Sequence, residues 1–321
     1  MFDQIDSISE KTTLNDRLRY NGSGTELALL MFKNLALTIL TLGIYAAWGR
    51  TNTRRYIWGK VEFLGDRAAY TGTGKELFRG WMIVVGFYLL AGLILKVIAQ
   101  VNALLPILFL PLYIYVYAIA IYGGARYRMS RTTWRETTFT MQRDKVSTQL
   151  FIWMVVKGTL LTGLTLGIYA PIFQNDVRRF LVNKGGFGTI NFNYDSENME
   201  FFKLFFWNLF LTIITLGFYG SWMLINIMKY KLKCSNLNNT VHFDLKLKGL
   251  DIFLFSVLSY ICTLLTFGLA LPWILNRGYG LFFNAIEVTG EIDFTKINNV
   301  VTEESAIGDV AAIEYDLDLG F

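Results

Sequence analysis

The string Thr41-Leu42-Gly43-Ile44-Tyr45 returns as Thr165-Leu166-Gly167-Ile168-Tyr169, as Thr215-Leu216-Gly217-Phe218-Tyr219 and, in worn form, as Thr266-Phe267-Gly268-Leu269-Ala270. Internal repetition constrains a fold more than any single motif, because each unit has to solve the same packing problem and to stack on its neighbours. The last three copies begin 50 and 51 residues apart. A second landmark, an aromatic residue in a short alternating segment, recurs at Tyr20, Tyr70, Phe139, Phe192, Phe243 and Phe294, so six landmarks enclose five units, near residues 20–69, 70–138, 139–191, 192–242 and 243–296. Unit two lacks the string; Pro111, inside a long apolar run, stands where its break is expected.

Apolar residues make up 53% of the chain and charged residues 17%, against roughly a quarter charged in a soluble domain. That balance points to lipid. Residues 1–24 are polar and carry both signs of charge, which is not the basic-then-apolar pattern of a cleaved signal. Residues 25–296 read as one membrane domain. Trp81 to Tyr122 is 42 residues interrupted by little more than Lys96, Gln100 and Asn102, twice the roughly 20 residues that one crossing needs, so this unit is expected to be a helical hairpin. By length alone the other units could be single helices. However, each closes with cations: Arg54, Arg55 and Lys60; Arg126, Arg128, Arg131 and Arg135; Arg178, Arg179 and Lys184; Lys229, Lys231 and Lys233; Arg277. Hairpins would gather these on one face, which the bias of Lys and Arg toward the inner side makes cytoplasmic.

The expected fold class is therefore mainly α, a polytopic membrane protein of about five tandem helical-hairpin repeats. Ile190–Tyr194 and Val241–Leu247 alternate apolar and polar with the period of a strand, and such short β segments are expected between the helices on one membrane face. The tail, residues 297–321, holds Glu303, Glu304, Asp309, Glu314, Asp316 and Asp318 with no Lys or Arg. It is expected to pack back through Val310, Ile313 and Tyr315, with both termini cytoplasmic.

Within the repeated string, glycine permits a turn or a close helix approach, threonine can bond a freed carbonyl, and tyrosine suits a membrane interface. Gly43, Tyr45, Gly167, Tyr169, Gly217, Tyr219 and Gly268 are accordingly assigned to helix turns. Polar side chains inside apolar helices are the best pointers to function, because lipid tolerates them poorly. Lys33 and Lys157 lie eight residues before their threonines, and Asn34 and Asn208 seven. Recurrence at matched offsets makes these four the candidate lining of a polar pathway; the competing reading has the lysines reaching toward headgroups and the asparagines tying helices together.

Other chemistry finds little support. Gly72-Thr73-Gly74-Lys75 lacks the first glycine and the final Ser/Thr of a phosphate loop, and reads better as a helix cap. His242 is the sole histidine; Cys234 and Cys262 lie far apart without metal or redox spacing. No catalytic, cofactor or metal site, and no nucleic-acid partner, is expected.

The repeated string with its following aromatic and basic stretch (Thr41 to Tyr56), the segment Tyr70 to Leu77 and the acidic end Asp316 to Gly320 resemble the YjgN-like family of bacterial inner-membrane proteins, a family of unknown function. The resemblance implies a location in the bacterial inner membrane and no established activity. Two functions follow as expectations: a transporter or channel for a small solute of unknown identity, or a non-transporting scaffold that binds lipid or partner proteins through its cytoplasmic face.

Overall fold

In the computed structural model, which describes residues 11–101, 109–141 and 145–298, polar caps and left-handed turns set the element boundaries. The strands are β1 (Lys11–Arg17), β2 (Arg19–Tyr20), β3 (Val61–Phe63), β4 (Asp66–Tyr70), β5 (Thr132–Trp134), β6 (Thr137–Met141), β7 (Gly185–Phe187), β8 (Ile190–Tyr194), β9 (Ser235–Leu237), β10 (Val241–Leu245) and β11 (Ile286–Asp293). The helices are α1 (Gly24–Leu40), α2 (Ala46–Gly59), α3 (Gly74–Val101), α4 (Leu110–Ser130), α5 (Lys145–Leu164), α6 (Ala170–Lys184), α7 (Asn198–Ile214), α8 (Gly220–Lys233), α9 (Gly249–Leu265) and α10 (Leu271–Phe283). The Gly72–Lys75 segment is a helix entrance: Glu76 N donates to Thr73 Oγ1 at 3.3 Å and Thr73 N to Glu76 Oε2 at 3.2 Å, a reciprocal capping box. Ser23 caps α1 from one side, accepting from Glu26 N, while its own N–H donates to Tyr56 OH.

The strands form one antiparallel sheet in the order β1-β11-β10-β9-β8-β7-β6-β5-β4-β3-β2. Its two edge strands, β1 and β2, are separated in the chain by Leu18 alone, whose N–H donates to Ile286 O at 3.1 Å. The sheet is thus drawn into a nearly closed barrel, which removes the unpaired edges an open sheet would offer to other chains. Tight turns with positive φ make the local hairpins, Leu64-Gly65 between β3 and β4 and Arg135-Glu136 between β5 and β6, as the right-handed twist of paired strands favours.

The alternation along each strand decides which face is buried. Val241 and Leu245 of β10 and Ile286, Val288 and Ile292 of β11 join Leu14 and Phe187 in the main core, while His242 is exposed. Aromatic contacts run round this apolar face from Phe63 to Trp134 (5.6 Å), Phe187 (5.8 Å) and Phe139 (5.0 Å). Phe294, in a short 3-10 helix after β11, packs on Trp134.

This architecture corrects the expected fold class. The protein is not a mainly α, polytopic assembly of helical-hairpin repeats with isolated β segments: among the described residues eleven strands, from Lys11 to Asp293, join in one sheet. Among the described residues, only Gly74–Gln100 in α3 is long and apolar enough to cross a membrane. The physical reason lies in helix length. At 1.5 Å per residue, the 17 residues of α1, α7 and α9 rise about 26 Å, short of the roughly 30 Å hydrocarbon core. The unit-two break was expected at Pro111, which stands in the first turn of α4; residues 102–108, just before it, lie outside the described residues. Of the tail, 299–321 also lies outside them.

Candidate functional site

Four helix pairs end in the same turn. In each, the residue before the glycine adopts a left-handed backbone (Leu42 φ 51°, Leu166 φ 49°, Leu216 φ 50°, Phe267 φ 49°), and so does the glycine (Gly43 φ 94°, Gly167 φ 91°, Gly217 φ 92°, Gly268 φ 85°). The glycine N–H reaches back to a helix carbonyl, as Gly43 N to Thr38 O (2.7 Å) and Gly217 N to Thr212 O (2.7 Å), which terminates the first helix as a Schellman-type cap does. The threonine then begins the second helix: Thr215 Oγ1 donates to Leu211 O (2.7 Å) and accepts from Tyr219 N (3.0 Å). Thr41, Thr165 and Thr266 repeat the geometry with Tyr45, Tyr169 and Ala270. Tyr45 stacks on Trp48 and Tyr219 on Trp222. The turn assignment of the glycines and tyrosines thus has a complete local mechanism.

The side chain at the apex is the unexpected part. Leu42 is 95% exposed, Leu166 94%, Leu216 90% and Phe267 96%. A bulky L residue in the left-handed region costs about 1–2 kcal/mol, and an apolar side chain at the far end of a helix pair gains nothing from water. The combination occurs four times, so each of these helix pairs ends in an exposed apolar apex. Leu40, Leu164 and Leu265, beside three of the turns, are exposed as well. Sequence reasoning weighed the threonine, glycine and tyrosine of each string and passed over the residue between; its readable signal was a large apolar residue where turn chemistry calls for glycine or asparagine.

The four proposed pathway residues do not converge. Asn34 is buried and its Nδ2 donates to Gly49 O (3.2 Å) across the α1–α2 pair. Asn208 accepts at Oδ1 from Asn226 Nδ2 (2.7 Å) across α7–α8. Lys33 is exposed, and Lys157 lines a cavity of about 320 Å³ with Trp153, Tyr169, Phe173 and Asp176. Among the described residues, no hydrogen bond or ion pair joins any two of the four. Equal offsets placed them on equivalent turns, where the two asparagines face their own partner helices and Lys33 faces outward.

The cation clusters sit at the sheet ends of the helices and hold the junctions. Arg55 donates to Gly72 O (2.9 Å), Arg131 pairs with Glu76 (2.7 Å), Lys60 with Glu26 (2.8 Å), and Arg179 donates to Ser196 O. Asn175, wholly buried, accepts from Tyr194 OH (2.9 Å) and donates to Ser196 and Asn198. Lys231, at the sheet end of α8, is packed 5.9 Å from the Phe201 ring. Burial pushes its ammonium down to about 8, with the neighbouring Arg178 guanidinium adding to the shift. Asn175 and Lys231 belong to a layer where helices meet strands; the sequence marked Lys231 only as one of a closing cation cluster and did not single out Asn175.

Comparison with known proteins places these features in a lineage. The sequence pattern of the family described as "Bacterial protein of unknown function (DUF898)" matches residues 15–207. The chain is 28% identical over 163 residues to the inner membrane protein YjgN of Escherichia coli strain K12, covering 50% of this chain and 39% of that protein. It is 34% identical over 84 residues to YjgN of Salmonella typhimurium strain LT2, covering 26% and 21%. The matched region therefore spans well under half the length of these curated relatives. No solved structure matches the chain.

Proposed function

The chain belongs to the YjgN-like family of bacterial proteins of unknown function, and from that membership we propose that it is an inner-membrane protein acting as a lipid-anchored scaffold rather than as an enzyme or a transporter. The observation that carries the reading is the set of four apolar apices, Leu42, Leu166, Leu216 and Phe267, each at least 90% exposed. Lipid is the solvent in which such side chains are stable. The basic residues at the sheet ends, through the positive-inside bias, support a cytoplasmic position for the sheet and the N-terminal strand, with the barrel's outer face available to other molecules. Transport loses its motivating observation, since Asn34 and Asn208 are engaged within their own helix pairs.

Reconstitution tests the reading. The purified protein should float with phospholipid vesicles and leave their permeability to potassium, chloride and phosphate at the level of empty vesicles. Solute flux above that level would overturn the scaffold reading; failure to float would overturn the membrane reading.

A further inference from the structure

Five helices leave the sheet in the same way, which supplies a ruler. α1, α3, α5, α7 and α9 each begin four residues after the last residue of a strand: Tyr20 to Gly24, Tyr70 to Gly74, Met141 to Lys145, Tyr194 to Asn198 and Leu245 to Gly249. From that common base α3 runs for 28 residues, α5 for 20, and α1, α7 and α9 for 17. The differences, 28 − 20 = 8 and 28 − 17 = 11 residues, amount to about 12–16 Å, near half of a roughly 30 Å hydrocarbon core. If α3 has the reach to cross, the turns of the shorter pairs stop near the bilayer centre.

Charge placement agrees. Lys33 stands ten residues before Gly43, Arg50 seven after it, and Arg277 nine after Gly268, and all three are exposed. These separations correspond to about 10–15 Å along a helix. Were the turns at the far headgroups, three exposed charges would sit near mid-core with lipid around them, a costly arrangement. With the turns at mid-bilayer, the same side chains extend to the headgroups on the sheet side, where anionic phosphate is the available partner.

Resting on the membrane reading proposed above, we infer that the helix pairs α1–α2, α5–α6, α7–α8 and α9–α10 dip into a single leaflet, with Leu42, Leu166, Leu216 and Phe267 among the acyl-chain ends and Lys33, Arg50 and Arg277 on anionic phospholipid headgroups of the sheet-side leaflet.

The test uses single cysteines at Leu42, Leu166, Leu216 and Phe267 in the full chain carrying Cys234→Ser and Cys262→Ser, with His242→Cys on the exposed sheet face as control. A membrane-impermeant maleimide should label none of the four from the periplasmic side of spheroplasts or the cytoplasmic side of inverted vesicles, whereas position 242 labels from one side. Spin labels at the same positions should respond strongly to oxygen and weakly to a polar nickel chelate, the signature of the bilayer centre. Labelling of the turns from the periplasm, with the protein still in the membrane fraction, would overturn the single-leaflet inference alone. Recovery outside the membrane fraction would overturn the membrane reading itself. For the headgroups, spin-labelled phosphatidylglycerol should be immobilised in preference to phosphatidylcholine, and Lys33→Gln/Arg50→Gln/Arg277→Gln should lose the preference. Equal immobilisation by the unaltered protein would overturn that assignment.

Discussion

Replacing Leu216 by asparagine separates a turn in water from a turn in lipid, because the two settings predict opposite signs. The residue has φ 50° and is 90% exposed. In water the change should stabilise: asparagine tolerates the left-handed backbone, recovering about 1 kcal/mol of strain, and the leucine had almost no protein contacts to lose. Among acyl chains it should destabilise. Leucine forfeits about 2 kcal/mol of apolar transfer, and the amide adds about 1–3 kcal/mol for desolvation without partners, so the net loss is about 2–4 kcal/mol. Leu216→Gly, which relieves the strain without adding an amide, should fall between. The assay is denaturant unfolding of purified protein in phospholipid bicelles followed by tryptophan fluorescence. A midpoint for Leu216→Asn equal to or above the parent would refute the reasoning and place the apex in water.

Thr215→Val removes the acceptor of Tyr219 N and should cost about 1–2 kcal/mol as a lost helix cap; Thr215→Ser should restore most of it in the same unfolding assay. Asn175→Ala leaves Tyr194 OH without its acceptor and removes one of the two donors, Asn175 and Arg179, that Asn198 Oδ1 has, and a loss of about 2–3 kcal/mol is expected, read as a lowered Tm in detergent. Lys231 titrates near 8 in the fold against an ordinary 10.5, so between those pH values the unfolded chain holds a proton that the folded chain has released. Stability should therefore rise as pH climbs from 8 to 10.5, by up to about 3 kcal/mol at about 1.4 kcal/mol per pH unit, and Lys231→Met should flatten the rise. Leu18→Pro removes the N–H that meets Ile286 O and should raise hydrogen exchange in both β1 and β2 if the barrel closes there.

What the chain's own order of residues determined is local. Thr-X-Gly places a cap acceptor, an apex and a left-handed glycine within three residues, and those groups bond to one another whatever surrounds them, so the turns at Gly43, Gly167, Gly217 and Gly268 were readable. Ile190–Tyr194 and Val241–Leu245 alternate because one face is buried, and that too is written residue by residue. Tertiary structure decided the rest. β1 pairs with β11 across some 270 residues (Arg17 with Glu287), and no local preference specifies a partner so distant; without that pairing the strands read as separate segments and the helices as the whole fold. The offsets of Asn34 and Asn208 were correct as counts along a helix, but a count does not say which way a side chain faces, and packing turned both toward the neighbouring arm. Depth was likewise hidden: the 17 residues of α1 acquire meaning only beside the 28 of α3 on a shared base, because length becomes a position in the membrane only when the fold supplies a common origin.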